Sequence, residues 1–181
     1  SVEEIAELAE VGVATVYNYF NTKADVVMAL LNDEFGELLE AGQRIVRQPP
    51  ADAPEAVSRL ITSYTVGLAS RYPRKLLREV FALVFSEQAF YRKEMFKFDF
   101  RLIDQLTELI EGMKKRRRLA RGVNTGDAAM ILYTVGMTGF MVFAADDDMT
   151  IDAMKKATRR HMRLVFKGLA PDTGGGNDDK R

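Results

Sequence analysis

Apolar residues recur every three to four positions through most of the chain, and Gly- and Pro-containing breaks separate the periodic segments. This spacing predicts amphipathic α-helices, because residues three and four apart lie on the same helical face. A strand would instead show strict alternation of apolar and polar residues, and no such segment is evident. The sequence therefore predicts an all-α protein.

Two short periodic segments stand at the start of the chain. The first, SVEEIAELAE over residues 1–10, predicts a helix. Its apolar face consists of Val2, Ile5, Ala6 and Ala9. A turn follows, and Gly12 can cap a second helix over residues 14–20, in which Val16 and Phe20 share the buried side. Two short helices joined by a tight turn predict a helix-turn-helix, whose second helix enters the major groove of DNA.

The outward side of this second helix carries side chains that suit contact with DNA. Threonine and asparagine can bind base edges or phosphates, tyrosine hydroxyls can bind phosphates, and a valine can touch a thymine methyl group. An alanine lets the backbone approach closely, and a lysine at the start of the following helix can pair with a phosphate. The candidate DNA-binding residues are Ser1, Val13, Ala14, Thr15, Tyr17, Asn18, Tyr19 and Lys23.

This segment resembles the DNA-binding signature of the TetR family of bacterial transcriptional regulators. The resemblance covers residues 1–30 and rests on the order IAE, a small-residue turn, TVYNYF and K-x-D; beyond Leu31 it is one of architecture only. It implies a repressor that leaves a near-palindromic double-stranded DNA operator when a small apolar or amphipathic ligand binds its helical domain. It also implies a homodimer, paired through the last two helices in a four-helix bundle.

Three positions depart from the family pattern. Glu10 stands where glycine is usual, Gly12 where a capping serine is usual, and Val13 at a position that is often basic. The family's first helix is missing from this sequence. We expect it to precede Ser1 and to supply basic residues.

The charge of this head supports a different hypothesis. Up to Gln48 the chain carries three positive residues and nine negative ones, and the whole chain has 26 of each sign. Balanced charge on its own argues against non-specific nucleic-acid binding. The alternative hypothesis is a helical small-molecule-binding or dimerisation module without DNA function.

Further helices are predicted over residues 23–47, 74–88, 90–117, 128–145 and 150–169, and one more between an Asp52 cap and the Tyr72-Pro73 break. We predict a head and linking helix over 1–47, a ligand-binding and dimerisation domain over 48–170, and a disordered tail over 171–181. Residues 128–145 carry no charge and could span a membrane by length. Acidic residues flank them, so we expect no membrane association but a helix buried on all sides in the core.

The composition offers little for catalysis. The chain has no Cys, one His and no Gly-rich phosphate loop, and no nucleophile has an evident base partner. We therefore predict no enzyme, no metal site and no cofactor. The absence of cysteine also fits a reducing, cytoplasmic location.

Phenylalanine and methionine are concentrated in the middle helices. Methionine adapts to varied apolar ligands, and the family resemblance implies a ligand in this region, although an ordinary core would have the same composition. Two tyrosines could orient a ligand through their hydroxyls. The candidate ligand-binding residues are Tyr64, Phe81, Phe85, Phe96, Phe100, Ile103, Tyr133, Met137 and Met141.

Overall fold

The computed structural model describes residues 2–8, 10–120 and 122–169. Within these ranges the chain forms eight helices and no strand, so the predicted all-α architecture is confirmed. The helices are α1 (Val2–Leu8), α2 (Val13–Tyr19), α3 (Lys23–Arg47), α4 (Ala53–Arg71), α5 (Arg74–Val84), α6 (Ala89–Lys115), α7 (Thr125–Ala145) and α8 (Ile151–Leu169). The predicted disordered tail, 171–181, lies outside the described residues.

Local sequence signals set most helix ends. Thr22 caps α3: its hydroxyl accepts a hydrogen bond from the backbone N–H of Asp25 at 3.1 Å, and the Asp25 carboxylate accepts one from the N–H of Thr22 at 2.9 Å. This reciprocal arrangement satisfies backbone donors that a helix start leaves free. α3 ends at Arg47, before a Pro-Pro pair, as predicted. α5 is shorter than predicted, because its last turn closes at Phe85 instead of continuing to Gln88.

The main core lies where α4, α6, α7 and α8 meet, with the second half of α3 against them. Leu60, Leu106, Leu132 and Met162 are fully buried there. Gly136 of α7 faces α4 so closely that a Cβ atom on it would lie 2.6 Å from a methyl group of Ile61. The two helices therefore touch through the glycine backbone at this point, and no larger side chain fits.

A second apolar cluster joins the first half of α3 to α5 and the start of α6. Its buried members are Val27, Met28, Leu31, Tyr91 and Met95. This cluster lies next to the helix-turn-helix, because α3 begins directly after it. The helix that follows the head, α3, thus packs its first half into this second cluster and its second half into the main core.

The expectation that residues 128–145 are buried on all sides is wrong for this chain. One side of α7 packs on α4, α5, α6 and α8, while the opposite side is open. That open side exposes Met130, Ile131, Met141 and Val142. By length and composition alone α7 could cross a membrane, and 39% of its most apolar window is buried within the protein. Its packing on four neighbouring helices makes it a core helix with one apolar side that is open in the described structure.

Candidate DNA-binding head and ligand cavity

The helix-turn-helix is held by a small apolar cluster. Val2 and Ala6 of α1 and Val16 of α2 are buried together, and Phe20 packs against them. In the turn, the N–H of Val11 bonds to the carbonyl of Ala6 at 3.0 Å. These contacts fix the angle between the two short helices. They match the buried positions predicted for both helices, although Ala9 and the side chain of Ile5 lie outside the described structure.

Glu10 occupies the tightest point of this turn. Its φ angle is +54°, in the left-handed region that glycine adopts without steric cost. A residue with a Cβ atom costs roughly 1–2 kcal/mol in this conformation. Glu10, which replaces the family's usual glycine, therefore strains the backbone of the turn between α1 and α2.

The structure exposes the predicted DNA-contacting side of α2. Tyr19 is 79% exposed, Tyr17 48% and Val13 38%. Ala14, Thr15 and Asn18 are exposed beside them, and Val16 faces inward. One side of α2 is thus a continuous free surface of the kind that a recognition helix presents. The remaining head candidate at the chain start, Ser1, lies outside the described residues.

Lys23, which was predicted to bind a DNA phosphate, forms an ion pair with a residue of another helix. Its Nζ atom lies 2.8 Å from Oε1 of Glu79 on α5, and both side chains are 45% exposed. This ion pair lowers the pKa of the Glu79 carboxyl. A residue expected to bind DNA is therefore also a contact between the head and the helical domain.

A second contact lies beside it. The hydroxyl of Tyr91 on α6 is 2.8 Å from the hydroxyl of Thr22 and donates to the Asp25 carboxylate at 2.9 Å. Tyr91 is 4% exposed. Burial alone would raise the pKa of the Asp25 carboxyl. The hydrogen bonds that Asp25 accepts from Tyr91 and Thr22 have a larger combined effect, so the pKa is lowered. The capping box of α3 is therefore tied to the start of α6.

A cavity of about 140 Å³ lies between α3, α5, α6 and α7. Five predicted ligand residues line it: Phe81, Phe85, Tyr133, Met137 and Met141. Further lining residues that the sequence analysis did not single out include Val27, Leu30 and Leu31 of α3, Leu76, Leu77, Val80 and Val84 of α5, and Met95 and Asp99 of α6. Phe85 stands at the rim and is 80% exposed. The cavity is thus a largely apolar chamber with α5 as its outer wall.

Four predicted ligand residues lie elsewhere. Phe96 and Phe100 project from the outer side of α6 and are exposed, with ring centroids 6.4 Å apart. Ile103 packs half-buried against the main core. Tyr64 is buried and donates a hydrogen bond to Oε1 of Gln105 at 2.7 Å. Its hydroxyl is therefore occupied within the core, beside a smaller void, and is not free to orient a ligand in the cavity.

Two polar groups in the cavity wall are paired with each other. Burial raises the pKa of the Asp99 carboxyl by more than the hydrogen bond from the Tyr133 hydroxyl lowers it. Burial and the nearby carboxylate both raise the pKa of Tyr133. The third polar lining residue, Tyr72, is hydrogen-bonded to Glu34, and its pKa is also raised, mainly by burial.

Two arginines anchor the start of α5 to the end of α7. Arg74 donates to the carbonyls of Phe143, Met149 and, at 2.8 Å, Asp146. Arg78 donates to the carbonyl of Ala144 at 2.7 Å and pairs with a nearby carboxylate, that of Asp147. Carbonyls at a helix C-terminus lack helical partners, so they are strong acceptors for such cations. This arginine anchor fixes one end of the cavity's outer wall.

An all-α protein with an exposed recognition helix, a linking helix and an apolar chamber has the architecture of a helix-turn-helix transcriptional regulator. Residues 1–30 match the family described as "Bacterial regulatory proteins, tetR family". The chain is therefore similar to the TetR family in this N-terminal segment, and it shares its fold with solved structures of such regulators. No protein with curated annotation matches it.

Solved structures of TetR-type regulators share the fold over nearly the whole chain. A TetR family transcriptional regulator, PfmR from Thermus thermophilus, is 18% identical with a TM-score of 0.67, and the match covers 94% of this chain and 90% of that one. The regulator FadR from Bacillus subtilis, solved in complex with stearoyl-CoA, is 18% identical with a TM-score of 0.75 and coverage of 93% and 88%. The repressor FadR from Thermus thermophilus, in complex with lauroyl-CoA, is 18% identical with a TM-score of 0.70 and coverage of 98% and 89%.

Proposed function

We propose that this protein is a ligand-responsive DNA-binding transcriptional regulator, a repressor that leaves a palindromic operator when a small apolar or amphipathic molecule occupies the cavity. The observation that carries this proposal is the position of α3. This helix begins shortly after the recognition helix α2 ends, and its Val27, Leu30 and Leu31 form part of the cavity wall. A ligand in the cavity therefore acts on the helix that carries the head.

The exposed side of α2 supports the DNA-binding half of the proposal. Thr15 and Asn18 can bind base edges, and the hydroxyls of Tyr17 and Tyr19 can bind phosphates on either side. Lys23 would add a charged contact at the start of α3. The acidic residues of the head oppose this attraction, so specific contacts must contribute much of the affinity.

The contacts of Thr22, Lys23 and Asp25 with α5 and α6 support the coupling half. Lys23 pairs with Glu79 of the cavity's outer wall, and Tyr91 of α6 bonds to both capping residues of α3. A ligand that displaces α5 or the start of α6 would strain these bonds and change the direction of α3. Coupling of about 1–3 kcal/mol between ligand and operator is enough for a useful response.

The open sides of α7 and α8 support a homodimer. Met130, Ile131, Met141 and Val142 of α7 are exposed, and Leu164 of α8 is 68% exposed. Pairing these helices with a second copy in a four-helix bundle would bury this apolar surface. A two-fold dimer would then present two recognition helices roughly 34–36 Å apart, one turn of DNA.

The ligands of two solved neighbours support an apolar ligand here. Both FadR structures contain a fatty acyl-CoA, so this fold can hold a long apolar group. The cavity of the present chain is lined mainly by aliphatic and aromatic side chains. Each neighbour is 18% identical to this chain, so the similarity concerns the fold and the apolar character of the chamber.

The test is selection of duplexes from a random library by the purified protein at moderate salt. We expect enrichment of a palindromic site, followed by release of that site when a cavity ligand is added. Weak binding that ignores sequence and disappears with salt would instead favour the helical ligand-binding module without DNA function, which the acidic head and the strained Glu10 turn would then explain.

A further inference from the structure

The cavity wall contains the carboxyl group of Asp99, and the described residues place no cation on it. Asp99 is half-buried and is the only charged residue among the described residues that line the cavity. Within the part of the chain that the structure describes, its partner is the hydroxyl of Tyr133, and no Lys, Arg or His forms an ion pair with it. A partly desolvated carboxylate without a counter-charge is unfavourable, and an occupant of the cavity can remove that cost.

Three cations near the outer wall have partners outside the cavity. Arg74 and Arg78 of α5 bind the carbonyls at the end of α7, and Arg78 also pairs with Asp147. Lys23 pairs with Glu79 on the outside of the same helix. These three cations therefore help to hold α5 in place, and among the described residues none of them pairs with Asp99.

The remaining wall of the cavity suits a cation with an apolar body. The rings of Phe35, Phe81 and Phe140 line it, and aromatic rings attract cations at distances within about 6 Å. The hydroxyls of Tyr72 and Tyr133 already donate to carboxylates, so they offer no free donor to an acidic ligand. Aliphatic side chains of α3 and α5 complete the wall and can pack on an alkyl chain or a ring.

We propose that the cavity binds amphipathic cations, with the ligand's ammonium group on the Asp99 carboxylate and its apolar part between α3 and α5. This assignment rests on the proposed function of the cavity as the effector site and specifies the chemistry of its ligand. It separates the chain from the acyl-CoA-bound neighbours, because an acidic head group cannot approach Asp99 favourably.

The test uses three probes that share an eight-carbon chain and differ only in the head group: octylammonium, octan-1-ol and octanoate. Binding to the full chain is measured by isothermal titration calorimetry at neutral pH. We expect octylammonium to bind about tenfold more tightly than octan-1-ol, since close charge pairs contribute at least this much at partly buried sites, and octanoate to bind weakest. In the Asp99→Asn variant, octylammonium should lose this advantage while octan-1-ol keeps its affinity.

A matched control is Asp104→Asn, which removes an exposed carboxylate from the same helix and should leave all three affinities unchanged. Octanoate binding as tightly as octylammonium to the unmodified protein would overturn the assignment, whatever the variants do. Equal binding of all three probes would also overturn it, yet would keep the cavity as an apolar effector site. Failure of every probe to bind would remove both the assignment and the cavity's proposed role.

Discussion

The Lys23–Glu79 ion pair makes a quantitative prediction about operator binding. If Lys23 binds a phosphate in the DNA complex, it must first leave Glu79, and the Glu79→Gln variant removes that competition. Exposed ion pairs such as this one contribute about 0.2–1 kcal/mol, which corresponds to about a 1.4- to 5.4-fold gain in operator affinity per protomer. In a two-fold dimer the gain is squared, to about 2- to 30-fold.

The assay is fluorescence anisotropy with the duplex obtained by selection, titrated at several salt concentrations. Glu79→Gln should bind more tightly than the unmodified protein. Lys23→Ala should bind more weakly, and the slope of log affinity against log salt should fall by about 0.9 for each phosphate that the protein no longer neutralises. Glu87→Gln, which removes an exposed carboxylate just beyond the end of α5, controls for the change in net charge.

The decisive measurement combines both changes in one chain. If Glu79 acts through Lys23, then Glu79→Gln should have no effect on operator affinity in the Lys23→Ala background. The same gain in both backgrounds would refute the competition and would attribute the effect to general charge. A loss of affinity in Glu79→Gln alone would mean that the ion pair holds the head in its DNA-binding orientation.

Three further outcomes are expected. Tyr64→Phe should lower the free energy of unfolding by about 1–3 kcal/mol, because it leaves buried Gln105 without its donor, and denaturant unfolding measures this loss. Glu10→Gly should raise the thermal midpoint of the head by relieving about 1 kcal/mol of strain at a left-handed position; an unchanged midpoint would contradict it. Asp99→Asn should unfold at a higher temperature than the unmodified protein at neutral pH. Folding raises the pKa of the Asp99 carboxyl, so this group destabilises the protein as the pH rises from its unfolded pKa of about 3.9 through its folded pKa. The difference in unfolding temperature between Asp99→Asn and the unmodified protein should therefore disappear as the pH falls toward about 4.

The helix limits could be predicted closely where the sequence carries local signals. Thr22 and Asp25 form a capping box and a Pro-Pro pair follows Arg47, so both ends of α3 are encoded within a few residues of where they occur. α5 lacks such a stop signal. This helix ends at Val84, and the prediction extended it too far.

The cavity could be predicted only in part, because apolar composition does not reveal which side of a helix faces which neighbour. Phe96 and Phe100 fit the pattern of a buried stripe, yet they lie on the outer side of α6. Tyr64 was predicted to orient a ligand through its hydroxyl. The actual partner of that hydroxyl, Gln105, stands 41 residues away on another helix, so no local pattern reveals it. A usable signal for Asp99 did exist: it is an acidic residue directly between two phenylalanines.

α7 shows the same limit in a different form. A helix that is apolar on every side gives no periodicity from which its buried side can be predicted. The structure shows that part of this apolar surface is satisfied within the chain and part is not. Sequence alone could indicate that α7 needs apolar neighbours, but it could not indicate which part of its surface the described chain leaves open.

The arginine anchor has a consequence for how two cavities in one dimer would communicate. Arg74 and Arg78 hold the carbonyls at the end of α7, the helix proposed to pair with the second copy. A ligand that moves α5 must therefore either break these hydrogen bonds or carry the end of α7 with it. If the end of α7 moves with α5, the displacement reaches the α7 helix of the second copy. The arginine anchor of that copy would then pass the displacement on to the wall of the second cavity. The two sites would then fill interdependently, and the ligand saturation curve would depart from a simple hyperbola.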